Sequence, residues 1–202
     1  MKNRLLCHMT HINNLTSILK NDGLLCKNEL LRTGSSFKDI ANLDVQDKRA
    51  KVTVPLEPYG TLHDYVPFYF WGTTPMLLKN QPQQNDIIFL ALKSDMILES
   101  GIAFVFTDRH AIIQYAKFYN NLDDLYKLDW EIIKNKYWFN TDEQPDRREK
   151  KQAEFLIYKT LPFKHIYGIG VANDNTMQNV ESILKDSPYK PIIKIKEEWY
   201  FT

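Results

Sequence analysis

The sequence predicts an α+β domain built on a bent or split antiparallel sheet, and three observations carry that reading. Short runs of aliphatic and aromatic residues recur along the chain, interleaved with segments of helical period. No G-x-G-x-x-G or G-x-x-x-x-G-K-[ST] turn follows any of these runs, which excludes the dinucleotide and P-loop readings. There are no repeats or low-complexity segments, and 202 residues at 44% hydrophobic and 25% charged suit one domain over 1–202.

Each element can be justified in turn. After a short opening strand, THINNLTSILKNDG reads as an amphipathic helix with Ile12, Leu15, Ile18 and Leu19 on one face and Gly23 at its end. Residues 33–60 are polar and mixed, without a period, and a loop of that length inside a domain is often functional. YVPFYFWG, DIIFLALKS and IAFVFTD read as strands; RHAIIQYAKFY then reads as helical. NLDDLYKLDWEIIKNKYW reads as a helix, its acids early and its lysines late as the helix dipole favours. AEFLIYK and HIYGIGVA read as strands, NTMQNVESILKDS as a helix with an Asn cap, and PIIKIKEEWYF as a closing strand.

A net charge of +1 means that any affinity for nucleic acid must come from a local patch. Cys7 and Cys26 form neither a disulfide framework nor a CxxC pair and read as reduced core residues. No apolar run reaches the ~18 residues of a membrane span, and MKNRLLCHMTH lacks the apolar stretch of a signal peptide. The expected location is the cytoplasm, and a monomer is the default.

Four features could carry chemistry. On a strand, His8 and Thr10 share a face and would present a ring nitrogen and a hydroxyl together. His8 and His11 lack the further ligands a metal site needs, so no metal is expected. Tyr65, Phe68, Tyr69, Phe70 and Trp71 fall within seven positions; alternation puts Tyr65, Tyr69 and Trp71 on one face and Phe68 and Phe70 on the other. Such aromatics are ordinarily core, but one face could stack a flat heterocycle. Asp108 and His110 follow a strand directly, in FTDRH, where caps and site residues both occur. Residues 147–164 set Arg147, Arg148, Lys150, Lys151, Lys159 and Lys164 against Glu149 and Glu154 alone, and Glu154 sits where the segment turns apolar. A solvated face and a groove that tracks phosphates both fit that pattern.

HMTHINNLTSIL, VQDKRAKVTVP, GTLHDYVPFYF followed by PML, FVFTDRHA, KKQAEFLIY and EEWYF stand together in an order and spacing that resembles the DarT family of DNA ADP-ribosyltransferases, toxins of bacterial toxin–antitoxin systems. The resemblance covers nearly the whole chain. It implies an ADP-ribosyltransferase fold of the diphtheria-toxin and PARP branch, a split β-sandwich with flanking helices around an NAD cleft. It implies NAD-dependent transfer of ADP-ribose to a base of single-stranded DNA, thymine ahead of guanine, and a macrodomain antitoxin, DarG, as partner. By the matched segments it makes Arg49 and Glu154 catalytic, Glu154 to stabilise the oxocarbenium-like state and help proton removal and Arg49 to activate the acceptor base, and His8, Thr10, Asn14, Tyr65, Phe68 and Tyr69 the NAD-binding set. It places His110 near the acceptor base, with Arg109, Arg147, Arg148, Lys150 and Lys151 toward DNA. Two departures from the family pattern stand out: Thr73 and Thr74 occupy a frequent Arg-Ser pair, and Arg109 a frequent Gly. An RNA or protein acceptor, or a silent nucleic-acid-binding module, are the competing readings.

Overall fold

The computed structural model describes residues 4–201. Ten strands form within them: β1 Leu5–His11, β2 Gly23–Leu25, β3 Tyr65–Tyr69, β4 Ile87–Lys93, β5 Phe104–Thr107, β6 Phe118–Tyr119, β7 Glu154–Tyr158, β8 Thr160–Pro162, β9 Gly168–Val171 and β10 Ile192–Ile195. The helices are α1 Leu15–Lys20, α2 Lys27–Thr33, α3 Leu43–Arg49, α4 Pro75–Lys79, α5 Ser94–Ser100, α6 Trp130–Lys134, α7 Arg147–Lys150 and α8 Asp174–Leu184. Eight strands run in the order β10-β9-β4-β1-β3-β7-β5-β6, antiparallel throughout except for the β10–β9 edge, and β2 pairs with β8 separately.

The centre of the sheet is its weak seam. β1 pairs with β4 over seven residues, Leu5↔Lys93 to His11↔Ile87, and β3 pairs with β7 over five, but β1 meets β3 only at Cys7↔Tyr69. Beyond that point the two strands part. The packing follows the same division. Behind the sheet one continuous core takes Leu6, Phe68, Phe70, Leu90, Phe106 and Phe155, with the Phe104 and Phe155 rings stacked at 4.9 Å. In front are two separate clusters: Cys7, Met9, Phe89 and Trp199 on the β1–β4 half, and Leu62, Tyr65, Val105 and Leu156 on the β3–β7 half. Burial of large side chains, worth about 1.5–3 kcal/mol each, thus welds the back and leaves the front divided.

Several elements differ from the sequence reading, each for a local reason. The first helix starts later than THINN suggests, because Thr10 and His11 pair with β4 and His11 caps the following turn by accepting from the Asn13 N–H. Asn21, not Gly23, ends it; Gly23 lies in β2 at φ 152°, where a Cβ would meet the Leu161 carbonyl at 2.1 Å. The aperiodic stretch 33–60 holds α3, capped by Asn42, whose single buried residue is Arg49. RHAIIQYAKFY is not helical, since its first amides are taken by side-chain and backbone oxygens elsewhere: Ala111 N–H by Glu154 and His110 N–H by the Glu149 carbonyl. The expected long helix near 121–138 is a 3₁₀ turn, Leu122–Lys127, then α6, the break being made by Asp129, which caps α6 through the Ile132 N–H. The closing strand stops at Ile195 and gives way to a turn at Glu197–Trp199. The Asn173 cap of α8 forms as read, accepting from the Thr176 N–H at 2.9 Å. Cys7 and Cys26 are free thiols in the core.

Candidate active site

Glu154 opens β7 opposite Tyr69, beside the point where the sheet parts, and is 1% exposed. A carboxylate so buried needs partners, and it has three. Arg49, brought by the C-terminal end of α3, donates from Nη1 to Oε2 at 2.8 Å. The Ala111 N–H donates to Oε1 at 3.1 Å, and His110 Nε2 lies 3.6 Å from the same oxygen. Thr107 holds the backbone: its hydroxyl accepts from the Glu154 N–H at 3.2 Å and donates to the Arg109 carbonyl at 2.6 Å.

These contacts fix protonation. Burial pushes the Glu154 carboxyl upward, but Arg49, His110 and the Ala111 amide outweigh it, so the acid stays below its ordinary range and anionic. Burial lowers His110, Glu154 opposes that, and Arg49 adds to it; the imidazole is neutral at pH 7. Arg49 spends Nη1 on Glu154, while its Nη2 is buried and, among the described residues, has no hydrogen-bond partner. A guanidinium donor in that condition is a place where a substrate oxygen belongs.

Arg49 also lines a cleft of about 160 Å³ at the parted seam, with His8, Thr10, Asn14, Tyr65 and Pro67. His8 Nδ1 sits 2.8 Å from the Pro67 carbonyl, which can only accept, so Nδ1 carries the proton and Nε2 keeps its lone pair. Burial lowers His8 to about 4, the Pro67 bond opposing. Asn14 ties the cleft wall to the loop over it: Nδ2 donates to Thr10 Oγ1 at 3.0 Å and to the Lys38 carbonyl at 2.9 Å, and Oδ1 accepts from the Lys38 N–H at 2.7 Å. Lys27 pairs with Asp39 of that loop at 2.7 Å.

The sequence-derived set is thus brought together in part. His8, Thr10, Asn14, Arg49 and Tyr65 share the cleft; Tyr69 stands beside Glu154 in register, its hydroxyl 3.5 Å from Met76 Sδ. Phe68 does not belong with them: it points the other way along the pleat and is 0% exposed in the rear core. Lys151 is corrected likewise. It is 2% exposed and donates from Nζ to the Ile133 and Asn135 carbonyls at 2.7 and 2.8 Å, closing the end of α6, so it cannot meet DNA. Burial lowers its amine to about 7.

The remaining cations are largely engaged. Arg109 faces Asp108, Asp146 and Glu149 within 3.6 Å; Lys150 lies 3.2 Å from Asp146 and 3.6 Å from Asp129; Arg147 donates to Gln144 and to the Tyr137 carbonyl. Arg148 stands exposed. Thr74 caps α4 through the Leu77 N–H and is buried, as is Thr73. Lys38, Gln46, His63 and Met76 also line the cleft and were missed. Gln46, His63 and Met76 stand inside matched motifs that could have suggested them, whereas Lys38 lies in none. Among the described residues no group of three or more His, Cys, Asp or Glu side chains could hold a metal.

A split sheet with a cleft at its seam, lined by an arginine that is ion-paired to a buried glutamate, is the architecture of an ADP-ribosyltransferase. Residues 7–201 match the family described as "ssDNA thymidine ADP-ribosyltransferase, DarT". A DNA ADP-ribosyl transferase of Thermus aquaticus is 40% identical over 206 residues, covering 98% of this chain and 89% of the relative. Two structures of Thermus sp. 2.9 DarT superpose across 98% of the chain. The one in complex with ADP-ribosylated ssDNA does so at a TM-score of 0.91, 37% identity and 96% coverage of its own length; the one in complex with NAD+ at 0.85, 36% and 97%. The chain belongs to the DarT family, and it is an NAD-dependent DNA ADP-ribosyltransferase.

Proposed function

We propose that this chain transfers ADP-ribose from NAD⁺ to a thymine of single-stranded DNA, with NAD⁺ seated between His8, Thr10, Asn14, Tyr65 and Tyr69. The carrying observation is the buried Arg49–Glu154 pair at 2.8 Å beside a neutral His110.

As the nicotinamide–ribose bond breaks, positive charge grows on the ribose, as in glycoside hydrolysis. Glu154, held anionic in a dry setting, opposes that charge where screening is weak. The acceptor is the ring nitrogen of thymine that bears a proton. Bond formation to the ribose carbon releases nicotinamide and that proton. Neutral His110 is the better base, because the Arg49 contact that keeps Glu154 anionic also makes it a weak one. Glu154 at 3.6 Å then stabilises the imidazolium. Arg49 Nη2 is the donor for a thymine carbonyl oxygen as the ring loses its proton. Single-stranded substrate avoids the cost of extruding a base from a duplex. Of the cations assigned to DNA, exposed Arg148 is best placed to meet a phosphate, with Arg109, Arg147 and Lys150 shaping the acceptor side through their acidic partners.

We also place the enzyme in the cytoplasm as a monomer, restrained by a macrodomain antitoxin of the DarG kind. No helix among the described residues is long and apolar enough to cross a membrane. The test incubates the protein with NAD⁺ and oligonucleotides that each lack one base and reads product mass. One ADP-ribose mass on every oligonucleotide except the thymine-free one is the expected result. Modification that persists without thymine, or none on DNA, would remove the reading.

A further inference from the structure

A second cavity, of about 250 Å³, lies past the far end of the β1–β3 seam, lined by Trp71, Trp130, Trp199, Arg4, Lys134 and Lys196. Three of the chain's four tryptophans therefore wall one space with three cations. This is a built arrangement. Gly72 and Gly170 are the residues that let Trp199 sit there, since a Cβ on Gly72 would meet Trp199 Cβ at 2.4 Å and one on Gly170 would meet its ring at 2.5 Å. The Arg4 guanidinium lies 4.0 Å over the Trp130 ring, and Trp130 is fixed by its Nε1–H to the Leu125 carbonyl at 2.7 Å. The lining's one carboxylate, Glu198, is taken up by Lys196 at 3.0 Å, so it leaves Lys134 on the exposed side of α6 unopposed by it. The Trp71 Nε1–H is buried and, among the described residues, meets no acceptor.

Each part answers to one ligand chemistry. Indole rings accept any flat base, a guanidinium plane extends the stack, and the exposed Lys134 ammonium at the rim meets phosphate. The orphaned indole N–H asks for a carbonyl or ring-nitrogen acceptor, which an alkyl or purely anionic ligand lacks. The base has room, as a cavity of about 150 Å³ already admits a benzene ring.

We infer that this cavity is a second binding site, for a nucleoside phosphate, separate from the Arg49–Glu154 cleft. Two sources carry that chemistry: a nucleotide of the DNA strand beyond the acceptor, or a free mononucleotide. Cys7, Tyr69 and Glu154 are neighbours across the sheet, and Trp71 lies two residues past Tyr69, in the bend that follows β3. A strand leaving the acceptor position would therefore meet the cavity soon.

The test uses the full chain, the Lys134→Glu/Lys196→Glu variant and Trp71→Phe, which keeps the ring and removes the N–H. Tryptophan fluorescence is titrated with AMP, and transfer is measured on a thymine-containing trinucleotide and on a decanucleotide. If the site holds the strand, the charge variant raises the KM for the decanucleotide roughly tenfold, the scale of one lost stacking or phosphate contact. Its kcat, its KM for NAD⁺ and its rate on the trinucleotide stay at wild-type values. Saturable AMP quenching that both variants weaken, without any length effect, supports the site and assigns it to free nucleotide. Variants that match wild type with AMP and with both oligonucleotides overturn the inference. The trinucleotide rate of the wild-type protein is a separate control, so failure of the catalytic reading would show there while the AMP titration still reports on the cavity.

Discussion

Arg49 and Glu154 bind each other at 2.8 Å, and this sets what their substitution does. Arg49→Met leaves a carboxylate buried without its cation and should cost about 3–5 kcal/mol in urea unfolding. Adding Glu154→Gln should recover most of that loss, because the pair is then replaced rather than broken, while transfer stays abolished. His110 gives the pH signature. Its acidity is shifted below the ordinary imidazole value, so it is neutral through physiological pH and takes a proton only on the acid side. The kcat profile should be flat above pH 6.5 and fall at lower pH, and His110→Gln should be slow with that acid limb gone. Stability has the same sign: Glu154, His110 and His8 are all shifted down on folding, so their contributions are complete above their unfolded values and fade as pH falls through the folded ones, about 4 for His8. Glu154 stands out in one dimension as a lone acid at the mouth of an apolar strand, but only the matched segments name it and Arg49 together. The sequence does not show that Arg49, 105 positions away, is the acid's partner.

At the level of elements, what the sequence hides is explained by polar groups that do the work of apolar ones. α3 has no apolar stripe because the one side chain it buries is a guanidinium, so a search for hydrophobic period passes over it. Residues 109–119 have helical composition, but Glu154 and the Glu149 carbonyl hold the amides a first turn would need free. Lys151 counts as surface charge in a sequence and is instead the clasp on the end of α6. Lys151→Met should leave two buried carbonyls unmet and cost about 1–3 kcal/mol in thermal unfolding, without changing the KM for DNA. Its lowered amine adds a check of sign: unfolded chains hold that proton more tightly between pH 7 and the ordinary lysine value, so this group's contribution to stability rises with pH there. Asn14 is the clasp on the other side, joining Thr10 to the Lys38 backbone with three hydrogen bonds. Asn14→Ala should raise the KM for NAD⁺ by roughly tenfold, the scale of one or two lost hydrogen bonds, with little change in kcat.

At the scale of the molecule, the eight-stranded sheet is welded on one face and divided on the other, and the division is where the proposed chemistry sits. The strands themselves were readable, since β3, β4, β5, β7 and β9 fall on the aromatic and aliphatic runs that predict them. The seam was not, because a single Cys7↔Tyr69 pairing leaves no trace in composition. The basic run is partly offset for a related reason: Asp129, Asp146 and Glu149 fold back onto Lys150 and Arg109, while Arg148 stays exposed. The proposed transfer depends above all on Glu154 acting as an anion at the breaking bond. The direct test is single-turnover transfer to a thymine-containing oligonucleotide by Glu154→Gln, with circular dichroism to confirm the fold. A rate lower by about 10²–10³ at saturating NAD⁺, with NAD⁺ binding retained, is the predicted result. Transfer at the wild-type rate by that variant would contradict the account.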